Sequence, residues 1–199
     1  MRFHRFISNI LHPVVIPTLG VLLYFIFISQ SLGRQQQLLL LALVFGITYV
    51  IPVISLFLLK TLGIIESFQV KTTQERRLPI LVMIMLFYIL GDILAQIPTL
   101  RDLGFLFYGT CAGLAGVYAL FVFRIKTSLH LLAMGNSVGF FLIIINLYAL
   151  SLIALVMVLI LLSGLVASAR LHLKAHKPSE LLIGFLLGIL SQITTFFVL

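Results

Sequence analysis

Charge is scarce in this 199-residue chain: Asp, Glu, Lys and Arg make up 9% of it, where a soluble domain carries about 25%. Acidic residues are rarest, five against thirteen Lys and Arg. With 62% of the residues hydrophobic, too little polar surface remains to cover a water-soluble fold of this size. The composition therefore excludes a soluble protein and implies one embedded in a lipid bilayer. The single cysteine, Cys111, excludes an intrachain disulfide and leaves the redox compartment unread. No basic stripe extends beyond a loop, which argues against nucleic acid as a partner. No repeat period, linker or soluble domain interrupts the apolar runs.

Those runs can be counted against the length of about 20 residues that a spanning helix needs. Candidate spans cover about 13–31, 38–59, 79–97, 103–123 and 181–199. The stretch 131–167 is too long for one span and suits two, with a break expected near 146–151 although no Gly or Pro marks it. Pro52 is expected to kink the second span, and Pro79 to stand in the first turn of the third. The fold class expected is an all-α polytopic transmembrane bundle of about seven spans, or six. Residues 1–12 read as an interfacial lead-in, because Arg2, His4 and Arg5 alternate with Phe3, Phe6, Ile7 and Ile10 and no small-residue cleavage site follows. Residues 13–199 then form a single transmembrane domain.

With seven spans, the N-terminus and the loops at 60–78, 124–130 and 168–178 share one membrane face. That face holds Arg2, Arg5, Lys60, Lys71, Arg76, Arg77, Arg124, Lys126, Arg170, Lys174 and Lys177, leaving only Arg34 and Arg101 opposite. The excess of cations places this face in the cytoplasm. Basic loops also suit anionic headgroups and phosphate.

The last loop carries the most chemistry. Arg170, His176 and Glu180 follow one another with five and then three residues between them. A carboxylate on one imidazole nitrogen fixes the tautomer and raises the basicity of the other, and an arginine can clamp a phosphoryl group with two donors. The middle loop adds Lys126, Ser128 and His130; the first adds Lys71, Gln74, Glu75, Arg76 and Arg77. A zinc stripe of His172, His176 and Glu180 is disfavoured, because Pro178 interrupts the helix that would align them.

In this order the three loops resemble the motifs of the type 2 phosphatidic acid phosphatase family: Lys-x6-Arg-Pro, Pro-Ser-Gly-His and Ser-Arg-x5-His-x3-Asp. The likeness covers about residues 60–199. The third motif matches in spacing from Arg170 to Glu180, and the Leu181–Gly188 run is similar to the small-residue helix that follows it in the family. The second keeps Ser128 and His130, while the first is matched loosely by Lys71 to Pro79. The chain departs from the family in Glu180 for Asp, Ala169 for Ser, Thr127 and Leu129 for Pro and Gly, and in the spacing of Lys71 to Arg76 or Arg77.

The resemblance implies a lipid phosphatase of the bacterial cytoplasmic membrane that needs no metal or other cofactor and acts on a membrane lipid phosphate. His176 would be the nucleophile, Glu180 its orienting carboxylate and His130 the general acid and base. Arg170, Ser128, Lys71 and either Arg76 or Arg77 would bind the phosphate. Many relatives work on the outer face, whereas the charge count of this chain points inward. The competing expectations are a non-catalytic relative that binds lipid headgroups, or a small transporter, suggested by Pro13, Pro17, Pro52 and Asp92 in the early spans. Asp92, beside Gly91, is otherwise expected near the far interface. Gly109, Gly113 and Gly116 are expected at a close helix contact.

Overall fold

The structure, a computed structural model, describes residues 2–28, 32–68 and 72–199, apart from the side chain of Thr73. Among these residues the fold is all-α and contains no strand. Six helices are long and apolar enough to cross a membrane: Arg34–Thr61, Gln74–Ala95, Pro98–Leu120, Leu129–Leu147, Ile153–His172 and Pro178–Val198. Their outward faces carry large bare side chains such as Phe57, Met85, Leu161 and Leu182, which only a lipid environment tolerates in such number. The chain is an integral, multi-pass membrane protein.

The amphipathic start forms helix α1 (Arg2–Ile10), which packs on helix α8 (Ile153–His172). It turns Phe3, Phe6 and Ile10 outward and buries Ser8. The first expected span is shorter than anticipated: α2 (Ile16–Phe27) has 12 residues, about 18 Å of helix against a hydrocarbon core of about 30 Å. It nevertheless reaches from one end of the bundle to the other. Ile16 packs with Leu131 and Met134 at the start of α7 (Leu129–Leu147). Eight residues on, the Tyr24 hydroxyl donates to Asp102 at 2.9 Å, where α6 (Arg101–Leu120) begins.

The second span is two helices, α3 (Arg34–Phe45) and α4 (Ile51–Thr61), joined by a π-helical turn at Gly46–Val50. The wider turn lies just before Pro52, whose ring and missing N–H disturb a regular ladder. The third span corrects the expectation for Pro79. Helix α5 (Thr73–Ala95) starts six residues earlier and holds Pro79 in its interior. Its true start is a capping box: Thr72 Oγ1 accepts from the Glu75 N–H at 3.2 Å, and the Glu75 carboxylate accepts from the Thr72 N–H at 3.2 Å. That reciprocal pair satisfies donors at the helix start, and the Thr-x-x-Glu pattern is visible in the sequence.

The remaining chain is α7, α8 and α9 (Pro178–Val198). The expected break is observed at 148–152, where Ala149 takes a left-handed φ of 49°. Helices α7 and α9 run side by side in close contact. A Cβ on Gly184 would stand 2.6 Å from the Ser128 carbonyl oxygen, and one on Gly188 would collide with the Leu132 carbonyl. Gly109, Gly113 and Gly116 of α6 give the same closeness to Gln192, Ser191 and Leu187 of α9, as their spacing implied. Lipid offers no hydrophobic drive between helices, so such backbone approach supplies the dispersion contacts that hold them. Asp92 is exposed near the end of α5 and accepts from Gln96 and from Tyr108, an interfacial arrangement.

Candidate functional site

The N-terminal ends of α5, α7 and α9, the C-terminal end of α8 and the N-terminal segment meet at one end of the bundle. They surround a cavity of about 790 Å³. All three basic loops reach it: Arg76 from the first, Lys126 and His130 from the second, Arg170, Lys174 and His176 from the third. Helix N-termini present unpaired N–H groups and a positive dipole end, so this end of the bundle favours an anion even before its side chains are counted.

His176 and Glu180 are built by the start of α9. Lys177 is the N-cap, Pro178 fills the first turn where no N–H is needed, and Glu180 is the third helical residue. Its carboxylate reaches back to the Lys177 N–H at 3.4 Å and to His176 Nδ1 at 2.7 Å. The longer Glu side chain therefore meets the imidazole at ideal distance. The geometry makes Nδ1 the protonated nitrogen and leaves Nε2 as the basic one. His176 is 9% exposed, and burial holds its pKa down to about 4. The Glu180 hydrogen bond acts upward, while the charges of Arg170 and Lys126 press downward. At neutral pH the ring is uncharged, with a free lone pair.

His130 lies in the first turn of α7 and is buried. Its Nε2 is 3.2 Å from the Ser8 carbonyl oxygen and 3.4 Å from Ser8 Oγ. A carbonyl only accepts, so Nε2 carries the proton. Arg170, in the last turn of α8, donates from Nη1 to Ser8 Oγ at 3.0 Å, while its buried Nε has no partner. Lys126 Nζ donates to the Ala175 carbonyl at 3.0 Å and ties the second loop to the third. Arg76 is half-buried and lies close enough to Glu180 and Arg170 for their charges to interact.

The structure thus gathers His176, Glu180, His130, Arg170 and Arg76 around one cavity end, and it separates others. Arg77 is exposed and turned away from the cavity wall, so of the two adjacent arginines Arg76 is the one that enters. Ser128 is fully buried and caps α7, accepting from the Leu131 N–H at 3.4 Å. Its own N–H donates to the Glu180 carbonyl at 3.2 Å, so it fastens the second loop to α9 behind the cavity. Lys71 lies outside the described residues. His172 stacks on His4 with ring centres 4.1 Å apart, six residues before α9 starts, and is not aligned with His176 on one helix. Among the described residues no group of three metal-ligating side chains converges.

Sequence reasoning missed Ser8, Asn9 and His12, which line the cavity from the N-terminal segment. The His12 ring meets His130 edge-on with centroids 5.2 Å apart. No spacing rule links residues more than a hundred positions apart. The one local signal was Ser8, which falls on the face of α1 opposite Phe3 and Phe6. Comparison with known proteins found no matching family model, no matching curated protein and no matching solved structure.

Proposed function

We propose that the chain is a lipid phosphatase of the bacterial cytoplasmic membrane that works through a phosphohistidine, with its site facing the cytoplasm. The reading rests chiefly on one observation: a buried, uncharged His176 oriented by Glu180 at 2.7 Å, with Arg170, Arg76 and Lys126 about the same cavity. His176 Nε2 attacks phosphorus, and the bond from phosphorus to the lipid oxygen breaks. His130, holding a second proton as imidazolium beside the anionic phosphate, gives its Nε2 proton to the leaving oxygen and becomes neutral. As the imidazole of His176 gains positive charge, Glu180 stabilises it across the existing hydrogen bond. The arginines hold the equatorial oxygens, where charge builds up. In the second step the neutral His130 removes a proton from water. The hydroxide attacks phosphorus, the P–N bond breaks, and phosphate leaves with both histidines restored.

Ser8 accepts from both His130 Nε2 and Arg170 Nη1, and a bound phosphoryl oxygen would take over those contacts. The test is phosphate release from a lipid monophosphate by purified protein in mixed micelles. Release should be vanadate-sensitive and should vanish in His176→Ala. Headgroup binding without release would favour the non-catalytic alternative, and release undiminished in His176→Ala would remove the phosphohistidine.

A further inference from the structure

At about 100° per residue, the nine residues of α1 divide into three sectors. His4, Ile7 and Ser8 face the bundle. His4 stacks on His172, Ile7 packs against Leu131, Met134 and Val166, and Ser8 meets Arg170 and His130. Phe3, Phe6 and Ile10 form a second sector, within about 60° of one another, and it is bare: Phe3 and Phe6 are 61% and 60% exposed. Arg2 and Arg5 form the third, also exposed. The helix carries no acidic residue, and among the described residues neither arginine forms a salt bridge. The depth of α1 follows from its neighbour. Helix α8 has 20 residues, about 30 Å of helix, which matches the hydrocarbon core of a bilayer. His4 and Ser8, one turn apart, both touch its last turn, at His172 and Arg170. Helix α1 therefore crosses the end of that span where the chain leaves hydrocarbon for headgroups.

We propose that the outer surface of α1 docks on an anionic phospholipid leaflet, whose headgroups clamp the helix onto α8 and so seat the cavity wall that Ser8 provides. An apolar sector beside a cationic one suits that boundary: Phe3, Phe6 and Ile10 enter the acyl region while Arg2 and Arg5 meet lipid phosphates. A second copy of the chain fits worse. The same end of the bundle exposes Arg77, Arg124, Lys174 and Lys177, so pairing two such ends sets like charges together. Nine residues are too few for a helix to persist alone in water, so α1 exists by what it packs on, and lipid supplies the outer half of that packing. The surface lies apart from the phosphate site and stands whether or not the chain is a phosphatase.

The test is hydrogen exchange of the α1 amides in the full-length protein. It is held in nanodiscs of phosphatidylcholine alone, or with about one third of that lipid replaced by anionic phosphatidylglycerol. Phosphatidylglycerol is a phosphodiester and offers the cavity no monoester. Each arginine beside an anionic surface contributes about fivefold, so exchange from Ile7 to Ile10 should slow roughly 25-fold in the anionic discs. Arg2→Gln combined with Arg5→Gln should abolish that difference and leave exchange in phosphatidylcholine unchanged. Salt at about 1 M, where screening acts within about 3 Å, should erase it in the unmutated protein. Phe3→Ser combined with Phe6→Ser should speed exchange in both lipids. Equal exchange in the two kinds of disc overturns the docking surface. A slowing that survives the double arginine change also overturns it, and assigns the lipid to the cavity or to another basic loop. Should that variant misfold, the unmutated protein still decides: a slowing undiminished by salt overturns the proposal.

Discussion

Protonation of His176 gives the sharpest test of the site, because its expected value can be placed on the pH scale. Burial and the charges of Arg170 and Lys126 outweigh the Glu180 hydrogen bond and bring the ring to about 4, against about 6.5 for an unperturbed histidine. At pH 5 such a ring is about 90% neutral, whereas an ordinary histidine is about 3% neutral, a difference of roughly thirtyfold in available nucleophile. The measurement is ring-nitrogen NMR of histidine-labelled protein in detergent, with the His176 signal assigned by its loss in His176→Asn. The midpoint should lie near 4 and should fall further in Glu180→Gln, which removes the upward contribution. Stability follows with a definite sign. A histidine depressed in the folded state binds its proton first in the unfolded one, so folding weakens as pH falls from about 6.5 towards 4 and changes no further below that. His176→Asn should flatten part of that decline in thermal melts. A midpoint near 6.5, or a decline identical in His176→Asn, would refute the buried, neutral nucleophile.

Other expectations are equally direct. Glu180→Gln should lower turnover by about 10²-fold or more, since the charged ring loses its stabilising carboxylate, while Glu180→Asp should keep substantial activity; phosphate release assays decide. Gly184→Ala should destabilise by about 1–3 kcal/mol, because its Cβ would stand 2.6 Å from the Ser128 carbonyl and the neighbouring helix must shift. Gly164→Ala, in open space on α8, should be neutral or gain up to about 1 kcal/mol; thermal denaturation in detergent compares the two. With Cys111 replaced by Ala, a cysteine at the exposed Lys174 should resist a membrane-impermeant thiol reagent in intact cells and react after lysis. Labelling in intact cells would move the site outside.

What the sequence determined by itself is whatever depends on composition or on neighbours along the helix. Scarce charge and long apolar runs require a bilayer, since no fold of this length could hide them in water. The break between α7 and α8 followed from length alone. Arg170, His176 and Glu180 were legible because a short loop and one helical turn fix their mutual distance through the covalent chain. The Thr72–Glu75 capping box was equally local, and it shows that Pro79 was a poor guide to where α5 begins: a proline can stand inside a helix whose start is secured by better donors and acceptors.

The tertiary structure decided everything that depends on which helix faces which. It took Arg76 into the cavity and left Arg77 outside, although adjacent residues on a helix differ by about 100° in direction and the sequence ranks them alike. It spent Ser128 on a helix cap and brought Ser8 and His12 across more than a hundred residues to His130. Such contacts arise from helix packing, which glycine-backbone approach controls in the membrane. Residue identity announces a charge or a donor, but only the packed bundle sets the distance at which that group meets another.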